Sequence, residues 1–336
     1  MTDLLGSLPE DQARLLRDAA PGIESASRPM LATLSDRRDF PGDWVFERKL
    51  DGVRVLAVRE GERVHLLSRA GNRLDETYPE IVDALAAQSR SDFTVDGEIV
   101  AFTHGRTDFG RLQQRMGLTR RRDVEASTVA VTYCLFDLLG LEGADTTRLP
   151  LRARKSLLRR ALTYRAPLRL TTHRNEGGAE LLADACARGW EGLIAKRANS
   201  PYQHRRSPDW LKLKCSLEQE FVIGGFTEPG GSRAGFGALL LGHFEGADLR
   251  YAGKVGTGFD RRTLLALRGA LDELALSASP FTDRVREAGA HWAEPVLVAQ
   301  IAFTEWTRDG MLRHPRFLGL RHDKPARDVV RERPAP

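Results

Sequence analysis

After Lys214 the sequence changes character, and that change limits the folds open to the chain. Up to about Cys215, apolar β-rich runs such as "WVFERKL", "VRVLAV", "RVHLLSR", "DFTVDGEIVAF", "VAVTYCLFDLL", "GLIAKR" and "WLKLK" are separated by turn residues. Helical segments lie between them: "YPEIVDALAAQ", "DFGRLQQRM", "RARKSLLRRAL" and "GGAELLADACARG", the last with Gly189 as its stop. Beyond "KCSLEQE" come short strands with glycine-rich turns, "EFVIGGF", "GALLLGHF", "LRYAGKVG" and "PVLVAQIAFTEW". One amphipathic helix, about Arg261 to Leu276, interrupts them. The pattern predicts an α+β part followed by a small Greek-key barrel, with the boundary near Ser216–Gln219. Residues 1–27 read as an N-terminal helical extension, with its helix from Pro9 to about Ala20.

With 336 residues, 41% of them hydrophobic, the chain can bury the core of one large or two medium domains. The balance of 51 Lys+Arg against 46 Asp+Glu gives +5, which fits a phosphate-rich partner without requiring one. The three cysteines, Cys134, Cys186 and Cys215, are far apart and outside any C-x-x-C pair. A disulfide framework or zinc ribbon is therefore not expected, and a reducing cytoplasm is the simplest setting. The N-terminus is acidic early and lacks a long apolar core, so neither a signal peptide nor a membrane span is expected there.

The chemistry centres on "FERKLDGVR", Phe46 to Arg54. On an extended segment residues two apart share a face, which puts Glu47, Lys49 and Asp51 together. Gly52 then allows a close turn or the approach of a ligand. Asp96 and Glu98 share a face in "TVDGEIV", as do Lys212 and Lys214 in "WLKLK". In "EGLIAKR", Glu191 and Lys196 have opposite parity unless Gly192 breaks the register and leaves Glu191 at a turn. Lys49 on these grounds is either a solvated surface charge or a nucleophile. A lysine attacks poorly at neutral pH, and a divalent cation, neighbouring cations or desolvation would free its amine. Glu98 and Glu191 are hard oxygen ligands suited to Mg²⁺ working with substrate phosphates. Lys212 and Lys214 could neutralise phosphoryl oxygens. Together these groups imply nucleotidyl transfer, in which an amine attacks an α-phosphate and pyrophosphate leaves.

In order along the chain, "KLDG" (Lys49–Gly52), "SRAG" (Ser68–Gly71), "DGE" (Asp96–Glu98), "FDLL" (Phe136–Leu139), "EGLIAK" (Glu191–Lys196), "LKLK" (Leu211–Lys214) and "RFLGLRHDK" (Arg316–Lys324) resemble the motifs of covalent nucleotidyltransferases. More specifically they resemble ATP-dependent DNA ligases. "PMLAT", "GKVGTGF" and "LRHPRFLGLR" are similar to the ligase module of bacterial end-joining ligases and their stand-alone relatives. The resemblance implies an adenylation domain over 28–216, with mainly antiparallel sheets and flanking helices. An OB-fold barrel over 217–326 and a tail over 327–336 would follow. It implies that Lys49 becomes lysyl-AMP, with Asp51 assisting its orientation and later the nick chemistry. Arg54 and Arg69 are expected near ribose and phosphate, Glu98 at the ribose or metal, and Glu191 at the metal. Phe136 would stack on adenine with Ile194 on its other side, Glu47 would contact the base, and Lys196 belongs with the nucleotide-binding residues. Lys212 and Lys214 would bind the α-phosphate, and Arg321 and Lys324 would orient the departing pyrophosphate.

ATP and Mg²⁺, or Mn²⁺ in its place, are the implied cofactors. Nicked or broken duplex DNA is the implied partner of a monomer associated with the nucleoid, with an end-binding protein and a repair polymerase as helpers where its own grip on DNA is weak. RNA ligases and capping enzymes share the early motifs but differ near the end, where "RFLGLRHDK" resembles DNA ligases. A catalytically dead tethering module would have lost motif residues, and Lys49, Glu98, Glu191, Lys212 and Lys214 are all present. The arginine run Arg120–Arg122 and the stretch Gln203–Asp209 are read as solvated faces, and "EPGGSRAGFGALLLG" as a hairpin turn between barrel strands.

Overall fold

The computed structural model describes residues 3–19, 28–215, 217–231, 234–307 and 309–332. The chain divides into two compact units, the first ending at Cys215. In unit 1 the order is α1 (Glu10–Ala13), β1 (Arg17–Asp18), β2 (Leu31–Leu34), β3 (Trp44–Arg48), β4 (Val53–Glu60), β5 (Arg63–Ser68), α2 (Pro79–Ala86), β6 (Asp92–Thr103), β7 (Arg106–Thr107), α3 (Phe109–Gln113), α4 (Arg121–Glu125), β8 (Val131–Leu141), β9 (Ala144–Asp145), α5 (Leu151–Ala161), β10 (Leu168–Leu170), β11 (His173–Arg174), α6 (Gly178–Ala187), β12 (Gly192–Arg197) and β13 (Arg206–Lys214). Unit 2 continues with β14 (Leu217–Thr227), β15 (Leu239–Glu245), β16 (Asp248–Val255), α7 (Arg261–Glu273), β17 (Ala275–Leu276), β18 (Ala290–Ala293), β19 (Val298–Phe303), β20 (Glu305–Trp306), β21 (Leu312–Arg313) and β22 (Arg316–Leu320).

Unit 1 has two sheets. The larger runs β1-β9-β8-β6-β4-β5 and the smaller β11-β3-β12-β13-β2. Pairing is antiparallel apart from β10 with β8 and β13 with β2. One face of the larger sheet, carrying Val53, Val55, Leu66, Val95, Ile99 and Leu135, buries itself against Ile81 and Leu85 of α2, Leu112 of α3 and Leu157 and Leu158 of α5. Phe46, Leu193, Ala195, Leu211 and Leu213 of the smaller sheet close over Leu182 and Ala185 of α6. The remaining faces meet where Leu56, Leu67, Phe136 and Leu139 pack with Met30, Tyr202 and Trp210. Each large apolar side chain so buried contributes about 1.5–3 kcal/mol.

In unit 2, β14 is long enough to be shared. Its first half pairs with β19, its second half with β18, and its other edge with β15. A bulge between Ile223 and Gly225 lets the strand bend, as a small barrel requires. Asp260 caps α7, its side chain accepting from Thr263 N at 2.7 Å. The segment around Val329 stays with the barrel: Val329 is buried, and Phe244 N donates to its carbonyl at 2.7 Å.

Several elements differ from the sequence expectation. The N-terminal helix is a single turn, Glu10–Ala13, and the chain then adds β1 to the edge of the larger sheet at β9. Residues 20–27 of the expected extension lie outside the described residues. Leu4 is buried in the main core, so the first residues of the extension pack against unit 1. α4 appears within the arginine run, with Arg121 and Arg122 exposed on it. The glycine-rich "EPGGSRAGFG" stretch connects β14 to β15, and Ser232 and Arg233 within it lie outside the described residues. Among the described residues no helix is long and apolar enough to cross a membrane.

The clearest correction concerns the cysteines. Cys186, on α6, and Cys215, just after β13, are disulfide-bonded across 29 residues, while Cys134 is free and buried. Sequence spacing does not reveal this, because packing α6 on the smaller sheet is what brings the two together. Closing a loop of this length is worth on the order of 3–4 kcal/mol of restricted unfolded-state freedom. Cys186→Ser, or reduction of the wild type, is expected to lower the urea-derived unfolding free energy by an amount of that order. An unchanged midpoint in both would show that the bond contributes nothing to stability.

Candidate active site

The register of the smaller sheet assembles three rows of side chains on one face. Val45 lies opposite Lys196, which lies opposite Trp210. One step along, Glu47 faces Ile194, which faces Lys212. At the next step Lys49 N donates to Gly192 O at 2.9 Å, and Gly192 faces Lys214. The alternate residues, Phe46, Leu193, Ala195, Leu211 and Leu213, form the apolar underside. The charged face therefore follows from the pleat once the apolar face is buried.

Lys49 lies just beyond the end of β3, so the strand parity that joins it to Glu47 does not carry over to their partners. Lys49 Nζ meets Glu191 Oε1 at 2.5 Å. Gly192 makes this possible. At φ +148° it takes a conformation other residues rarely adopt, and a β-carbon there would collide with the Leu213 carbonyl oxygen. Glu191 lies just before β12 rather than within it, so strand parity does not govern its side chain relative to Lys196. Gly52 has a packing reason of its own, since a β-carbon there would strike the Ile99 carbonyl on β6. Burial works against the Lys49 ammonium, but Glu191 in contact with it, helped by Asp51 and Glu98, more than offsets this and holds its pKa above the ordinary range. Glu191 Oε2 is buried without a hydrogen-bond partner.

Glu47 is buried and forms ion pairs with Lys155 of α5 and, at 2.7 Å, with Lys196. Burial alone would raise its pKa, yet the two ammonium groups hold it below the usual carboxylate value. Lys196 is pushed down to about 8, chiefly by burial, with Glu47 opposing and Lys155 assisting the shift. Its ammonium lies 4.2 Å from the Phe136 ring centroid and 4.0 Å from that of Trp210. The Arg54 guanidinium lies 4.6 Å from the Phe136 centroid, so this ring neighbours two cations.

On the larger sheet Arg54 faces Glu98 across β4 and β6. Arg54 makes a bidentate pair with Asp96, which also accepts from Tyr202 Oη at 2.6 Å. Tyr202 Oη in turn accepts from Met30 N at 2.8 Å, tying the two sheets together. Phe136 occupies the bulge position on β8, where the register with β6 shifts between Asp96 and Gly97. Arg69 follows β5 and is half-buried. Arg321 and Lys324 belong to unit 2. There Arg321 pairs with Asp323 at 2.9 and 3.0 Å, and Lys324 with Glu220 at 2.5 Å.

Lys155, Tyr202, Trp210 and the Arg154–Asp137 pair are absent from the sequence-derived set. Arg154 and Asp137 are fully buried and bonded at 2.7 and 2.9 Å. A signal for the α5 pair exists in the sequence. Arg154 and Lys155 sit three and four residues after Leu151 and three or four before Leu158, on the helix's apolar face. Charges at such positions need buried partners.

Residues 29–214 match the family model described as ATP dependent DNA ligase domain, and residues 232–324 match ATP dependent DNA ligase C terminal region. The multifunctional non-homologous end joining protein LigD of Pseudomonas aeruginosa is 42% identical over 91% of this chain and 37% of its own length. Its counterpart in Mycolicibacterium smegmatis is 34% identical over 90% and 39%. The chain thus spans about two fifths of the length of these two relatives. A solved mycobacterial DNA ligase D complexed with ATP and MES is similar at 33% identity and a TM-score of 0.65, covering 91% of this chain and 99% of that one.

Replacing Glu47 by Gln is expected to leave Lys155 and Lys196 buried without a counter-charge, at a cost of about 3–5 kcal/mol in unfolding free energy at pH 7. A buried lysine whose folded pKa lies below its unfolded value destabilises while protonated, and stability recovers as pH rises through the folded value. Without Glu47 the folded pKa of Lys196 falls further below its wild-type value of about 8, so the deficit of Glu47→Gln against wild type should narrow between about pH 6 and pH 8 in urea titrations. A deficit constant across that window would contradict the pairing.

Proposed function

Because the chain belongs to the ATP-dependent DNA ligase family, we propose that it seals 5′-phosphate/3′-hydroxyl breaks in duplex DNA through lysyl-AMP and DNA-adenylate intermediates. The observation that carries this reading is the contact of Lys49 Nζ with Glu191, set in one face with Lys212 and Lys214. Lys49 attacks the α-phosphate of ATP and pyrophosphate departs. AMP passes to the 5′-phosphate of the break, and the 3′-hydroxyl then displaces it.

The residues have these roles in our reading. Glu191 and Asp51 hold Lys49 in place as the ammonium, which must lose its proton to solvent before the amine attacks. Lys212 and Lys214 neutralise the α-phosphate. Phe136 and Ile194 flank the adenine, Glu47 and Lys196 lie at the base, and Arg54, Arg69 and Glu98 serve ribose and phosphate. Arg321 and Lys324 orient pyrophosphate, which requires Asp323 and Glu220 to release them. Glu98 and Glu191 fit a divalent cation, Mg²⁺ or Mn²⁺. Glu191 keeps an unpartnered buried oxygen, and two carboxylates completed by phosphate oxygens and water form a donor set that suits Mg²⁺. Among the described residues no group of three or more His, Cys, Asp or Glu stands ready for a metal, so protein ligands alone do not fill the shell. When bound, the cation supplies positive charge to the phosphates and competes for the carboxylates that retain the Lys49 proton.

The relatives named for end joining support broken duplex ends as the substrate. An end-binding protein and a repair polymerase are the proposed partners of a monomer working at the nucleoid.

With α-labelled ATP and Mg²⁺, wild type should acquire acid-stable label that nicked DNA removes as it is sealed, and Lys49→Ala should acquire none. No label on wild type even after stripping with pyrophosphate would sink the ligase reading. Since Lys49 is held protonated, single-turnover adenylation should accelerate with pH between 7 and 9, by up to about tenfold per unit. A flat profile would place the proton elsewhere.

A further inference from the structure

Beside α5 lies a hollow to which the proposed ligation chemistry assigns no role. It has a volume of about 240 Å³, room for roughly eight waters at about 30 Å³ each. Arg152, Lys155, Ser156, Arg159 and Arg160 of α5 line it, with His173 of β11 opposite and Val45 as an apolar wall. Residues 152, 156, 159 and 160 recur at helical spacing and form one exposed stripe, and buried Lys155 adds a fifth polar wall. Among the described residues no carboxylate lines the hollow.

The nearby acids are largely committed. Glu47 is held between Lys155 and Lys196, and Asp43 lies 3.9 Å from Arg152. Arg152 also donates to Asn175 at 3.1 Å and Arg160 to Ser7 at 3.2 Å, both neutral acceptors. Four cationic side chains therefore converge on a concave, partly desolvated space. Such a field attracts an anion more strongly than a flat solvated face does, because the walls exclude screening water.

We propose that this hollow is a second anion site that takes a phosphate group, distinct from the Lys49 site. Guanidinium forks suit tetrahedral phosphate oxygens, and Ser156 adds a hydroxyl donor. An occupant would share Lys155 with Glu47, so occupancy would be felt at the Lys49 face. The phosphate could come from a free anion or from a duplex backbone.

His173 reports on the site. Burial first, then Lys155, Arg159 and Arg152, hold its imidazole below its ordinary pKa, with Glu47 opposing. A bound phosphate should relieve this and raise it. The experiment follows the His173 imidazole by NMR in the full chain. One arm titrates inorganic phosphate against chloride at matched ionic strength, and the other an intact, unnicked duplex. Saturable shifts and a raised pKa are expected, with Arg152→Ala and Arg159→Ala each weakening the response by roughly tenfold or more. Saturation by phosphate alone assigns a free-anion site, and tighter saturation by the duplex assigns a backbone phosphate. A response equal to that in chloride, or one unchanged in both variants, overturns the proposal. Both arginines are exposed, so the variants should keep the wild-type melting midpoint, and the wild-type titration decides even if they do not. Neither ATP nor sealing enters the readout, so a failure here leaves the ligase reading untouched.

Discussion

The pairing of β3 with β12 and β12 with β13 is the constraint from which the site follows. With Phe46, Leu193, Ala195, Leu211 and Leu213 pressed against α6, the pleat leaves Glu47, Ile194, Lys196, Lys212 and Lys214 on the opposite face. A slip of one residue in any of these strands would exchange the two sets and bury lysines under a helix. The apolar core and the charged site are thus two sides of one register. Gly192, at φ +148°, opens β12 in register with Lys214, and beside it Glu191 meets Lys49.

Charge in unit 1 is arranged in two ways. Arg154 with Asp137, and Arg54 with Asp96 and Tyr202, are saturated networks in which each carboxylate has several donors. Pairs of this kind contribute little net stability over an apolar core of the same shape, but removing one partner is costly, so they fix the arrangement of what surrounds them. The Lys49–Glu191 pair is different. Glu191 keeps an unpartnered oxygen, which in the proposed mechanism gives a competing cation a place to bind and a reason to displace the lysine. In our reading the first kind of pair holds the walls, and the second is the part that changes during catalysis.

Much of the fold was legible locally. Strand parity identified the paired charges of "TVDGEIV" and "WLKLK", and the switch after Lys214 marked the start of the barrel strands. Helix ends were less clear, because α1 and α3 are single turns whose limits depend on what they pack against. The cysteine spacing hid the bond between Cys186 and Cys215.

The sequence by itself determined the two-part α+β architecture, the ordered motifs and the sign of charge along each strand. These are read over a few neighbouring residues, where propensity and periodicity act. Tertiary structure alone decided that Lys155 neutralises Glu47, that Tyr202 bridges Asp96 to Met30, and that Glu191 rather than Glu47 receives the Lys49 ammonium. Those partners are each separated by more than a hundred residues. Only the burial of apolar faces, a property of the whole chain, brings them within reach of a hydrogen bond.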